Sequence, residues 1–197
     1  MKTPYALGLI FLLILAIFLW EFPFSKEIDK EIPAVMSIAD TPYPYETSES
    51  GESEITYTNK PTVIHIKGKV SRKLFRKPEL DVKITADGFG WMKDGRHSMS
   101  GPLVSERKDG INMGSITYNY EPQYSSTAWF EHTKFATVFF DNDFEQFYLW
   151  TSTEEWMGEA EPRLLKITGP AQNKQEAEQV LGKIHEAYGD WMNETEL

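Results

Sequence analysis

The chain has 197 residues, no cysteine, four histidines, and 20 lysines and arginines against 30 aspartates and glutamates. Thiolate catalysis, disulfides, cysteine-ligated zinc and thiol-based lipid anchors are thereby excluded, and a formal charge of −10 disfavours a duplex nucleic acid as partner. The length suits one modest core rather than two full-sized domains.

The first element is an apolar run, Tyr5 to Trp20 (YALGLIFLLILAIFLW), with no charged side chain. Extended to residues 3–24 and taken as a helix, it reaches roughly 30 Å, the depth of a bilayer core. It predicts a transmembrane helix acting as a signal anchor over residues 1–24, seated in the lipid bilayer through residues 3–24. Lys2 precedes the run, and Glu21, Lys26, Glu27 and Asp29 follow it. The expected topology is therefore single-pass in the cell membrane, with the N-terminus cytoplasmic and the C-terminal domain outside. A cleaved signal peptide needs small residues just behind the run, and FLWEFPFSKE offers large ones.

Residues 25–59 read as an extracytoplasmic linker. Pro42 and Pro44 oppose helix and interior strand, and Ser, Glu and Gly between 46 and 54 bring polarity without apolar periodicity. The alternative is that Ile32 to Ile38 docks on the domain as an extended arm, because it carries Ile32, Val35, Met36 and Ile38.

Residues 60–192 read as one globular domain, with 193–197 as a tail. Ile64, Ile66, Gly68 and Val70 alternate with His65, Lys67 and Lys69, and Leu80, Val82, Ile84 and Ala86 alternate with Asp81, Lys83 and Thr85, the period of half-buried strands. A glycine-rich connection over 88–101 follows, then a short strand at Leu103 to Arg107, an Asp109-Gly110 turn and a strand over Ile111 to Tyr120. Phe135 to Phe140 and Phe144 to Trp150 form a hairpin around Asp141, Asn142 and Asp143, with apolar groups on both faces. Arg163 to Thr168 supplies the last strand.

Asn173 and Glu176 stand at capping-box spacing before a helix whose Ala177, Val180, Leu181, Ile184, Tyr188 and Trp191 recur every three or four residues. The expected fold class is α+β: a mainly antiparallel sheet of about six or seven strands, packed by a C-terminal amphipathic helix and preceded by the transmembrane helix.

For chemistry, His65, His97, His132 and His185 form no short ligand spacing. His97, in a glycine-rich connection with Asp94, is the catalytic candidate among them. Asp141, Asp143 and Glu145 stand at alternate positions that a hard cation favours, although a tight turn selects the same residues. Lys67, Lys69 and Lys73 form a positive stripe fit either for an anionic polymer or for guarding a sheet edge. Trp91, Tyr118, Tyr120, Tyr124 and Trp129 include loop positions that suit a platform for sugar or peptide. No phosphate loop or nucleophile elbow is present, and no cofactor is implied.

The expected function is non-catalytic: a membrane-anchored extracytoplasmic binding or scaffolding domain for a cell-envelope component, whether a glycan, a peptide or a membrane-protein partner. The alternatives are a small envelope-associated hydrolase using the 88–101 loop, and a structural accessory subunit of a membrane protein complex. A concave pocket joining His97 to converging acids would favour the hydrolase.

Overall fold

In the computed structural model, which describes residues 8–15, 17, 24–41, 56–72, 78–88, 97–120, 133–153 and 163–195, eight strands form a single antiparallel sheet. For residues 97–102, 118–120, 133–135 and 190–195 the backbone alone is described. The strands are β1 (Phe24–Ala39), β2 (Tyr57–Arg72), β3 (Glu79–Ala86), β4 (His97–Lys108), β5 (Ile111–Tyr120), β6 (Thr133–Asp141), β7 (Phe147–Ser152) and β8 (Leu164–Gly169). Helical residues 8–15 and 17, α1, precede them, and α2 (Lys174–Thr195) follows.

The strand order is β3-β2-β1-β8-β7-β6-β5-β4, a meander in which the first and last strands pair. The sheet curls into a half-barrel, so that its two edges, β3 and β4, approach one another. Among the described residues no hydrogen-bonded ladder joins them. Edge strand β4 contains Pro102 and two register shifts against β5, between Ser100 and Leu103 and between Val104 and Glu106. Proline and bulges both discourage a further strand from pairing there.

The concave face holds the main core. Every strand contributes to it: Ile28, Ile32 and Met36 from β1, Ile64 and Ile66 from β2, Val82 and Ile84 from β3, Val104 and Ile116 from β4 and β5, and Val138, Leu149 and Ile167 from β6, β7 and β8. Helix α2 lies on the convex face. Its Val180, Ile184, Ala187 and Tyr188 pack with Ile111, Phe139 and Tyr148, and Ala177 packs with Val35 and Ala171. The Phe-rich hairpin therefore has cover on both faces. The helix is capped at Asn173: the Glu176 N–H donates to Asn173 Oδ1 at 3.0 Å, and Glu176 Oε2 accepts the N–H of Gln172, one residue before the cap, at 2.7 Å.

Tyr188 interrupts α2 with non-helical dihedrals (φ −127°, ψ 21°). Its hydroxyl donates to the Ile111 carbonyl at 3.1 Å, and its ring lies 5.3 Å from that of Phe139. Burial, assisted by the negative charge of Glu106, raises the phenol from 10.0 to about 12. The neutral form is favoured on folding, so this stabilisation is complete below pH 10 and is lost as pH rises toward 12. Tyr188→Phe is expected to lower the urea-unfolding free energy at neutral pH by about 1 kcal/mol. It should also flatten the alkaline limb of the stability profile, as followed by circular dichroism.

The structure corrects the expected fold class. The sheet has eight strands rather than six or seven, because β1 occupies Phe24–Ala39, where the linker was expected. Lys26, Glu27, Asp29, Lys30 and Glu31 mask its alternation in the sequence, yet Ile28, Ile32, Ala34 and Met36 are all buried on the concave side. Pro33 is accommodated because its carbonyl accepts the Ala171 N–H at 2.8 Å just where pairing with β8 stops.

The transmembrane helix is corrected too. Among the described residues no helix is long and apolar enough to cross a membrane. The signal anchor, the bilayer contact through residues 3–24, the single-pass topology with a cytoplasmic N-terminus and the extracytoplasmic placement are thereby overturned. So are the functions built on that placement: the membrane-anchored binding or scaffolding of a cell-envelope component, the envelope hydrolase and the accessory subunit of a membrane complex.

Candidate functional site

The meander gives the half-barrel two unlike ends. At one end the connections are short: Asp109-Gly110 between β4 and β5, residues 142–146 between β6 and β7, and residues 170–173 between β8 and α2. The connections after Ala39, Ala86, Tyr120 and Ser152 all leave the opposite end, and all are longer.

The short-turn end is shut. Phe144, at φ +54°, is fully buried within the concave core and stacks on Phe140 with ring centroids 4.6 Å apart. Around it the first turns of β1 and the end of β2 are tied to the β6–β7 turn. Lys26 Nζ lies 2.9 Å from Asp143 Oδ1, Arg72 Nη2 lies 3.6 Å from the same oxygen, and Arg72 also donates to the Asn142 carbonyl. Asn112, buried at the start of β5, donates to the Phe140 carbonyl at 3.2 Å.

This places the three acids considered for a cation. Asp141 Oδ1 accepts the Glu145 N–H at 2.6 Å, which is turn chemistry, and Asp143 is engaged by Lys26 and Arg72. Among the described residues no group of three or more His, Asp or Glu side chains is arranged to hold a metal ion.

The Lys26 hydrogen bond, with the charges of Lys26, Arg72 and Lys30, holds the Asp143 carboxyl below its ordinary value. The ionised form is favoured on folding, so the contribution is present above the ordinary carboxylate range and is lost as pH falls through the lowered value. Lys26 is 63% exposed and Asp143 40%. Solvent screening therefore limits the effect, and Asp143→Asn is expected to cost only about 0.5 kcal/mol at pH 7. The difference between variant and parent should vanish in unfolding curves taken near pH 2.

The lysine stripe does not stand alone on the convex face. The register sets Lys69 between Glu27 and Asp81, and Lys67 between Asp29 and Lys83. Lys67 Nζ lies 3.0 Å from Asp29 Oδ2, and His65 sits between Glu31 Oε1 (3.5 Å) and Asp87 Oδ1 (3.4 Å). Opposite charges on neighbouring strands thus break up the stripe, and this face is a cross-strand ladder of mixed sign. Lys73 lies outside the described residues.

At the end with the long connections the backbone register pairs His97 with Tyr120 and Met99 with Tyr118. The connection from β3 into β4, with Trp91 and Asp94, therefore enters β4 at the same end at which the one from β5 into β6, with Tyr124 and Trp129, leaves the neighbouring β5. Trp91, Asp94, Tyr124 and Trp129 themselves lie outside the described residues.

Sequence reasoning missed a polar group at this end. The β1–β2 ladder continues through the Asp40 N–H, which donates to the Thr56 carbonyl at 3.0 Å, and the β7–β8 ladder through the Thr153 N–H, which donates to the Arg163 carbonyl at 2.7 Å. Thr58 Oγ1 donates to Asp40 Oδ1 at 2.7 Å. This bond and one from the Thr56 hydroxyl hold the Asp40 carboxyl below its ordinary value, with a smaller contribution from the charge of Arg163. The Arg163 N–H donates to Thr153 Oγ1 at 2.8 Å, and Thr153 is fully buried. One signal was available: Arg163 alternates in phase with Leu165 and Ile167, which places a cation on the apolar face of the last strand.

Comparison of the chain with models of known protein families, with curated proteins and with solved structures found no match.

Proposed function

We propose that the half-barrel is a binding domain that takes its ligand at the end bearing the long connections. Trp91, Tyr118, Tyr120, Tyr124 and Trp129 supply the contacts. The observation that carries this reading is the inequality of the two ends. One is plugged by Phe144 and tied by Lys26, Arg72 and Asp143, while the connections or strand ends that hold all five aromatics meet the neighbouring strands β4 and β5 at the other end.

Rigid sheets that present long connections at one end commonly bind there, because the scaffold fixes the ends of segments whose composition is free to vary. Flat aromatic rings bury large areas at little conformational cost, and suit a ligand with apolar faces and polar edges, such as a sugar ring. Tryptophan fluorescence gives the readout. The full chain, titrated with neutral and acidic trisaccharides, should show a saturable change, and Tyr124→Ala/Trp129→Ala should weaken binding by about tenfold or more. Lys67→Glu, on the convex ladder, should leave the affinity unchanged. Equal affinity in the aromatic double variant and the parent would remove the basis of the proposal.

A further inference from the structure

We infer that the ligand bound at the end with the long connections carries a carboxylate, and that Arg163 receives it. This rests on the binding reading above and names the chemistry of that site. Three observations carry it. The Nε of Arg163 is buried and has no hydrogen-bond acceptor among the described residues. None of their acids lies within ion-pair distance of its guanidinium, although Asp40 is near enough to feel its charge. Asp40 is itself committed to the Thr58 and Thr56 hydroxyls.

Arg72 provides the contrast. Its Nε is also buried without an acceptor among the described residues, but its Nη2 has both the Asp143 carboxylate and the Asn142 carbonyl. A partly buried cation without a counter-charge is costly to the fold. The cost is recovered when an oxyanion arrives, and a carboxylate fits the planar fork of a guanidinium through two parallel N–H···O bonds. The backbone of Arg163 is fixed on both sides by Thr153, so the base of the side chain is positioned before any ligand binds.

The experiment compares Arg163→Met and Arg163→Lys with the parent chain, using trigalacturonate and its neutral counterpart galactotriose as probes. Binding is read by tryptophan fluorescence and folding by thermal melting. Arg163→Met should weaken trigalacturonate binding by about tenfold or more while leaving galactotriose unaffected. Arg163→Lys should recover part of the loss. The melting temperature of Arg163→Met should be unchanged or raised, since an uncompensated buried charge is replaced by an apolar chain of similar length.

A clear fall in melting temperature would show that the guanidinium has an acid partner within the chain, Glu154, Glu155, Glu159 or Glu161 being nearest in sequence, and would overturn the inference. Equal affinity for the two probes in the parent, unaltered in the variants, would overturn it while leaving the binding reading in place. Binding of neither probe would count against both.

Discussion

Gly68→Ala is expected to unfold the chain more readily than any exposed substitution, by about 3 kcal/mol or more, or about 6–12 °C in melting temperature for a chain of this size. Gly68 lies on β2 between Ile28 of β1 and Val82 of β3, at φ +149°. A Cβ there would overlap the Asp81 carbonyl oxygen and come within 2.7 Å of the Val82 Cα. Both obstacles are backbone, so no side-chain rotation relieves them, and β3 would have to move off β2. The absence of a side chain is what lets β3 close so tightly on β2, and that closeness helps the sheet coil until β3 approaches β4. Gly110 is the control. It also has a positive φ, +86°, but nothing lies within 4 Å of its missing Cβ. Gly110→Ala should therefore cost only the conformational strain, about 1–2 kcal/mol. Equal losses at the two positions in thermal and urea unfolding would show that close approach of β3 is not what selects glycine at 68.

The second large effect is expected at Phe144. Phe144→Ala removes a fully buried ring from beneath the concave core and its stack on Phe140, and should cost about 3–5 kcal/mol. Phe144 also holds φ +54°, a left-handed conformation that a phenylalanine adopts only when its surroundings impose it. Phe144→Gly loses the same ring but relieves that strain, so it should be less damaging than Phe144→Ala by about 1 kcal/mol. The ordering of the two variants in urea unfolding separates the contribution of the ring from that of the backbone. If alanine is tolerated as well as phenylalanine, the ring does not close the end of the half-barrel. The Lys26–Asp143 contact, which depends on the position of the same turn, should weaken with the ring, and the acid limb assigned to Asp143 should shrink in both variants.

Strands β2, β3, β6 and β7 and helix α2 were legible in the sequence because each carries its own period. Ile64, Ile66 and Val70 alternate over a short distance, and Ala177, Val180 and Ile184 recur at helical spacing behind the Asn173 cap. Such patterns depend only on how neighbouring side chains point, which the backbone imposes locally. Strand β1 was not legible, since its charges are as frequent as its apolar residues and a proline stands in the middle. Its alternation acquires meaning only with β2 along one edge and β8 along part of the other. The apolar run at the N-terminus shows the converse: hydropathy reports composition, and among the described residues no helix is long and apolar enough to cross a membrane.

The candidate site divides in the same way. Asp141 and Asp143 were recognisable as turn residues from the segment that contains them, but the pairing of Asp143 with Lys26 joins residues 117 positions apart. Lys67 and Lys69 formed a positive stripe in the sequence because Asp29, Glu27 and Asp81, which interrupt it, arrive on other strands. Arg163 was visible as the start of a strand, yet that its buried Nε has no acceptor among the described residues follows from what β1, β2 and β7 place around it. The sequence by itself thus determined the local periods, the helix cap, the turn chemistry and the classes of reaction removed with cysteine. The tertiary structure alone decided the eighth strand, the sealed end, the charge balance of the convex face and the buried Arg163 Nε that has no acceptor among the described residues. Each of these depends on which distant segment lies alongside, and that choice belongs to the curl of the whole sheet.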